Sequence, residues 1–103
     1  MIIKNKDNCI IEFADENYTI KTKRCATTNF INFGDLVKYF KVPRLELGKE
    51  FKKKCGYGTL LNSNYICIEH LALITIPDDE DARDFINILD TQVKPYLKGL
   101  HSY

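Results

Sequence analysis

Short apolar segments alternate with polar ones in the first third of the chain. Residues 9–13 and 18–22 are rich in β-branched and aromatic side chains, and the four residues between them have a length that hairpin loops commonly use. We therefore predict an N-terminal β-hairpin. A third apolar stretch, residues 29–33, is predicted to lead into a helix at Gly34 and Asp35.

Two helices are predicted in the middle of the chain. Pro43 limits the first, because the residue before a proline is disfavoured in the helical region. Residues 44–54 suit a short amphipathic helix, ended by Gly56 and Gly58. The apolar face of the first helix consists of Leu36, Val37, Tyr39 and Phe40, and that of the second of Leu45, Leu47 and Phe51.

The second half predicts a hairpin followed by two helices. Residues 59–68 read as a hairpin that turns at residues 62–64, and residues 69–75 as a short helix. The acidic run 78–81 is typical of a helix start, because carboxylates accept hydrogen bonds from free N–H groups there. A long helix is predicted from about residue 79 to 93 or a little beyond, and Pro95 should bend or end it. Its apolar residues recur every three or four positions: Ala82, Phe85, Ile86, Leu89, Val93, Tyr96 and Leu97.

The order of these elements favours an α+β fold. We expect one small domain over residues 1–103, with a mostly antiparallel sheet, an N-terminal hairpin and a long C-terminal helix packed on the sheet. A chain of 103 residues, of which 45% are hydrophobic, can bury one core but not two.

No segment predicts export or insertion into a membrane. Charged residues occur within the first few positions, where a secretory signal would need an unbroken apolar run. The longest apolar stretch is far shorter than the roughly 20 residues that cross a bilayer. Four widely spaced cysteines do not form a disulfide framework, so we expect free thiols. The expected location is intracellular, in the host cytoplasm or nucleus if the protein is viral.

Patterns that indicate catalysis or metal binding are weak. Cys67 and His70 could form a nucleophilic pair, but a cysteine between two isoleucines in a strand is more often a packing residue. A zinc site needs four closely spaced ligands, and the acidic run 78–81 lacks the spacing of a calcium loop. We therefore expect no catalytic residues, no bound metal and no cofactor.

Charge is distributed unevenly, although the formal net charge is only +1. Residues 36–57 carry seven basic and two acidic side chains, whereas residues 69–90 carry seven acidic and one basic. A basic segment with interspersed aromatic rings can bind phosphates and stack on bases. Alternatively, residues 49–54 form a solvated helix face that pairs with the acidic segment. The candidate nucleic-acid-binding residues are Lys38, Lys41, Arg44, Lys49, Lys52, Lys53, Lys54 and Tyr57.

Three segments carry a resemblance to a known family. Residues 30–40 are an apolar strand that runs into a helix with an acidic and an aliphatic residue near its start, and residues 64–74 are a strand followed by a short helix. In residues 81–97, Ala82, Phe85 and Pro95 fall at intervals that match the family's final helix. Together these segments resemble the BRO N-terminal (BRO-N) domain of baculovirus repeated proteins and phage antirepressors.

The resemblance implies a small viral or phage module with a regulatory role that binds DNA through its basic segment. A second hypothesis keeps the fold but assigns it to an accessory protein that binds a host or viral protein, through the acidic residues 78–84 or an exposed aromatic patch. An enzyme is a third hypothesis, for which the sequence offers no group of residues. A homo-oligomer is compatible with either kind of binding, and no membrane partner is expected.

Overall fold

Six strands form one antiparallel sheet in the order β1-β2-β3-β4-β6-β5. The computed structural model describes residues 1–6, 9–55, 60–61 and 64–100, and the sheet belongs to that part of the chain. The strands are β1 (Ile2–Asn5), β2 (Ile10–Ala14), β3 (Thr19–Cys25), β4 (Thr28–Asn32), β5 (Leu60–Leu61) and β6 (Tyr65–Cys67).

Helical segments follow the fourth strand and the sixth. They are α1 (Phe33–Phe40), α2 (Arg44–Cys55), a 3₁₀ helix (Ile68–Leu73), α3 (Glu80–Ile88), a π-helical turn (Leu89–Val93) and α4 (Lys94–Leu100). The α+β class, the N-terminal hairpin and the long C-terminal helix are confirmed. The predicted end of α2 at residues 56–58 and most of the turn at 62–64 lie outside the described residues.

All helices pack on one face of the sheet. Phe13 pairs with Ile20, and Ile31 pairs with Ile66, and all four side chains are fully buried. Antiparallel partners lie on the same face, and neighbouring residues in a strand lie on opposite faces. The alternate positions, which include Glu12 of β2, are half-buried or exposed, so within the described residues the second face of the sheet carries no helical layer. We call this face the open face.

The long helix supplies the largest part of the helical layer. The predicted apolar face is confirmed, since Ala82, Phe85, Leu89 and Val93 have no exposed surface, whereas Ile86 is only half-buried. The buried side chains of this helix therefore form a large part of the core that packs against the sheet.

Pro95 does not end the helix, which was one of the two predicted outcomes, but the helix loses its regular α-helical geometry just before it. The residues before it form a π-helical turn, in which the Lys94 N–H donates to the Leu89 carbonyl five residues earlier. A proline ring in a regular α-helix clashes with the carbonyl four residues before it. The wider π turn changes the register just ahead of Pro95, and helical structure continues to Leu100.

Two further predictions need correction. The edge strand β1 was not expected, because all its residues are exposed and show no alternation of burial. Leu45 of α2 is 79% exposed, whereas Leu47 and Phe51 are buried. Each residue advances 100° around a helix, so Leu45 lies about 200° from Leu47 and faces solvent.

Asp35 of α1 is the buried carboxylate that joins the helical layer to the sheet. It accepts a hydrogen bond from the Lys21 N–H at 2.7 Å and forms an ion pair with the Lys21 Nζ at 3.0 Å. Its own N–H donates to Oδ1 of Asn32, the residue that caps α1. The carboxylate therefore accepts the hydrogen bond of the Lys21 N–H in β3, at the point where β4 has ended and α1 has begun.

Candidate nucleic-acid interface

Lysines cluster on the solvent side and at the end of α2. Burial of Leu47 and Phe51 against the core sets the rotation of this helix. Lys49, Lys52 and Lys53 consequently project outward around the exposed Leu45, and Lys54 is exposed beside them in the last turn. We call Lys49, Lys52, Lys53 and Lys54 the α2 basic cluster.

The α2 basic cluster forms no ion pair with any described residue. Within the described part of the chain, no carboxylate lies within ion-pairing distance of its four ammonium groups, although Glu46 and Glu50 belong to the same helix. The lysines lie in the last turns, where positive charge complements the negative end of the helix dipole. Four unpaired charges on one short helix are free to contact a polyanion.

Lys41 behaves differently from that cluster. It occupies a left-handed backbone conformation (φ 56°, ψ 36°) at the end of α1. There its Nζ forms an ion pair with Asp81 and lies 3.9 Å from Asp79. The hydrogen bond to Asp81 is the main cause that raises the pKa of Lys41. The basic and acidic segments therefore meet at Lys41. The alternative interpretation placed this pairing at residues 49–54, which form no ion pair with the acidic segment within the described part of the chain.

The acidic run starts α3 as predicted, with Asp79 at the N-cap position and Glu80 and Asp81 in the first turn, but the predicted capping hydrogen bond from the Asp79 side chain is not formed. The Asp79 carbonyl accepts the first hydrogen bond of the helix, from the Arg83 N–H. Arg83 also pairs with Asp78 through its guanidinium. Asp78 forms an ion pair with Arg83, and Asp81 forms one with Lys41 at the end of α1. The contact with Lys41 therefore links the acidic run to α1.

Lys38 lines a groove of mixed charge. The groove has a volume of about 380 Å³, and its walls include Tyr18, Tyr39, Asp81 and Asp84. Burial is the main cause that raises the pKa of Tyr18, followed by the charges of Asp84 and Asp81. Lys41 also lines this groove, so two cations and two carboxylates face it, and its charges balance rather than forming a phosphate site.

The remaining candidates lie apart from the cluster or outside the description. Arg44 begins α2, and its guanidinium carbon lies 4.8 Å above the centre of the Phe33 ring. Tyr57 lies outside the described residues. The structure thus brings four of the predicted site residues together in the α2 basic cluster. It places Lys38 and Lys41 at the groove of mixed charge beside Asp81 and Asp84.

The open face carries a second group of basic and aromatic residues, which sequence reasoning missed. Strand pairing joins Lys23 to Phe30 and Phe30 to Cys67, while Tyr65 pairs with Asn32 in the next row. These side chains are half-buried. The alternation of lysines at positions 21 and 23 with the buried Ile20 and Thr22 was the available signal.

Two of the lysines on the open face are paired and two are not. Lys6 forms an ion pair with Glu12 at 2.9 Å, which lowers the pKa of Glu12 chiefly through the Lys6 hydrogen bond. Lys21 pairs with Asp35. Lys4 has no ion pair within the described residues, and the Lys23 Nζ lies 5.9 Å from the centre of the Tyr65 ring.

Cys67 and His70, the pair considered for catalysis, lie on two consecutive elements, β6 and the 3₁₀ helix. Cys9, Cys25 and Cys67 are free thiols, and Cys67 is half-buried on the open face rather than part of the core. His70 lies in the 3₁₀ helix, with a buried Nδ1 that has no hydrogen-bond partner among the described residues. In the same part of the chain, no three His, Cys, Asp or Glu residues lie together as metal ligands.

No helix among the described residues is long and apolar enough to cross a membrane. Comparisons of the chain with protein-family models, with curated proteins and with solved structures found no match.

Proposed function

We propose that this protein is a nucleic-acid-binding module that acts by binding and not by catalysis. Its α2 basic cluster contacts the phosphate backbone of duplex DNA. The observation that carries the proposal is the contrast between the two groups of lysines. Lys41 is neutralised by the acidic run, whereas the four lysines of the cluster project from one helix without a carboxylate partner within the described residues.

Contacts from this cluster are electrostatic. Ammonium groups on flexible stems bind phosphate as point charges, and each neutralised phosphate releases condensed counterions. Such contacts position a protein on DNA without reading the base sequence. The cluster therefore accounts for affinity, and sequence preference would have to come from other residues.

Membership of the BRO-N family and a regulatory role in a virus or phage are part of this proposal. The support is the order of elements in residues 30–40, 64–74 and 81–97. An apolar strand enters α1, a strand enters a short helix, and the long helix places Ala82 and Phe85 in the core. The four lysines of α2 would then be the phosphate-binding residues of the module.

The test is a triple substitution in the cluster. Changing Lys52, Lys53 and Lys54 to Ala should weaken duplex binding on every sequence alike, because it removes up to three phosphate contacts. The slope of log K against log salt concentration should become less steep by up to about 2.7, which is three contacts at about 0.9 each. Fluorescence anisotropy with two unrelated duplexes at several salt concentrations measures both effects.

A control variant separates lost affinity from a general change in charge. Lys94 and Lys98 lie on α4, away from the cluster along the chain, and changing both to Gln removes two positive charges, against three in the cluster variant. This control should keep the wild-type slope. Exposed Lys→Ala changes should alter the free energy of unfolding by less than about 0.5 kcal/mol each, which circular dichroism melts can check. Equal losses of affinity in both variants would contradict the proposal.

A second candidate function is the binding of a host or viral protein. The observation in its favour is that Leu45 of α2 is 79% exposed and Leu73 of the 3₁₀ helix is 54% exposed, on two elements that pack against each other. Exposed apolar side chains mark a protein interface where they form one contiguous patch. Absence of duplex binding by the intact protein would favour this candidate.

A further inference from the structure

We propose that the open face of the sheet binds single-stranded nucleic acid, with its bases stacked on Phe30 and Tyr65 and its phosphates held by Lys4 and Lys23. This inference rests on the proposed function and deepens it, because it names the form of nucleic acid that a second surface recognises. The α2 basic cluster belongs to the helical layer, so the two surfaces do not form one continuous site.

The arrangement of the two rings is the first observation. Phe30 pairs with Cys67, and Asn32 pairs with Tyr65, so the two rings are diagonal neighbours on adjacent strands. Diagonal neighbours of an antiparallel pair lie about 7–8 Å apart, which leaves each ring its own base-sized platform. Both side chains are half-buried on a face without a helical layer, and therefore each ring keeps a surface for stacking.

The distribution of charge on this face is the second observation. Among the described residues, the carboxylates that belong to this face or reach it are Glu12 and Asp35, and they pair with Lys6 and Lys21 respectively. Lys23 stands next to Phe30 in the strand register and within 5.9 Å of the Tyr65 ring centre. The Lys23 ammonium lies over the half-buried Tyr65 ring, so when a base stacks on that ring the ammonium moves aside to the nucleotide's phosphate.

Single strands suit this face better than duplexes or a second copy of the chain. A duplex hides the flat faces of its bases inside the stack, so Phe30 and Tyr65 would have nothing to stack on. If a second copy met this face with its own open face, its described carboxylates there, Glu12 and Asp35, would already be paired with Lys6 and Lys21 and would offer no free partner to Lys4 and Lys23. In a single-stranded nucleic acid, exposed bases can stack on the rings while the phosphates contact the lysines.

The test is binding of a fluorescently labelled 12-nucleotide oligo(dT), with a duplex of equal length as the comparison. Changing Phe30 and Tyr65 together to Leu should lower the affinity for oligo(dT) at least tenfold and leave duplex affinity within twofold. Changing Lys4 and Lys23 to Gln should reduce the salt slope for oligo(dT) by about 1.4, which is two contacts at about 0.7 each.

Matched controls identify the role of the rings. Tyr96 is another half-buried aromatic residue, but it belongs to the helical layer, where its ring lies 5.6 Å from that of Phe13. Tyr96→Leu should keep full oligo(dT) affinity. Tyr65→Phe preserves the stacking ring and should also bind fully. If the double leucine variant does not fold, Tyr65→Leu alone and the Lys4 and Lys23 variant decide the question.

The outcomes separate this inference from the proposed function. Unchanged oligo(dT) affinity in the folded leucine variants overturns the inference, and so does duplex binding by the wild type without oligo(dT) binding at 20 mM salt. Absence of binding to either nucleic acid overturns both proposals. A dimer that the leucine variants dissociate, together with absent oligo(dT) binding, would assign the open face to a second copy. Loss of oligo(dT) affinity in the leucine variants, with the controls and duplex binding intact, supports the inference.

Discussion

Replacement of Phe85 by Ala tests the packing that positions every surface described above. Phe85 is fully buried at the centre of an aromatic cluster. Its ring centre lies 4.9 Å from that of Tyr39, 5.5 Å from that of Phe40 and 5.9 Å from that of Tyr18. The cluster joins the long helix to α1 and to the start of β3, and a cavity there would loosen all three.

The expected loss is large compared with the stability of a domain of this size. A buried Phe→Ala change costs about 3–5 kcal/mol, and three ring neighbours favour the upper part of that range. Domains of this size have a total stability of about 5–15 kcal/mol, so the variant would be barely stable. With about 5 °C for each kcal/mol near this chain length, the midpoint should fall by roughly 15–25 °C.

Urea denaturation followed by circular dichroism measures this loss directly. Phe85→Leu should lose less than Phe85→Ala, because it leaves a smaller cavity. Asn87 lies on the exposed side of the same helix, and Asn87→Ala should remain within about 0.5 kcal/mol of the wild type. A loss below about 1 kcal/mol for Phe85→Ala would show that this helix face is not the core and would refute the packing described here.

Three further predictions concern the backbone, the buried carboxylate and the thiols. Ala26 has φ 53° in the β3–β4 turn, so Ala26→Gly should relieve strain and raise the thermal midpoint by roughly 2–6 °C; a lower midpoint would contradict this. Burial alone would lower the pKa of Lys21, but its hydrogen bond and ion pair with Asp35 raise that pKa overall. The Lys21–Asp35 pair therefore stabilises the fold at a pH below the unfolded pKa of a lysine, about 10.4, and this contribution is lost as the pH rises beyond it. Asp35→Asn should therefore weaken the alkaline loss of stability in urea titrations above about pH 10, and an unchanged pH profile would be inconsistent with the pair. All four cysteines should react as free thiols in the unreduced denatured protein, and a mass lower by two hydrogens would reveal a disulfide.

Local patterns predicted the elements that depend on periodicity alone. The spacing of Ala82, Phe85 and Leu89 requires one helix face, and the β-branched runs around residues 14–17 require a hairpin. Those elements form because the free energy gained by burying their apolar faces exceeds the weaker local preferences of the other residues in each segment. The edge strand β1 has no such face, since its four residues are exposed and only its pairing with β2 makes it a strand.

Long-range partners could not be derived in the same way. The sequence offers Lys41 as one cation among seven in its segment, and only the packing of α1 beside α3 brings it to Asp79 and Asp81. The open face likewise depends on strand register, which places Lys23 beside Phe30 although neither lies in the basic segment. The π-helical turn ahead of Pro95 could not be predicted either, for a different reason: the rule that a proline bends or ends a helix assumes a regular α-helix before it.

The most direct test of the central claim is a salt titration of the intact protein with duplex DNA. If the α2 basic cluster contacts phosphates, log K should fall linearly with log salt concentration, with a slope of about −0.9 for each contact and up to about −3.6 for four lysines. The slope should be the same for unrelated sequences, because these contacts do not read bases. Absence of salt-dependent binding, even at low ionic strength, would contradict the account.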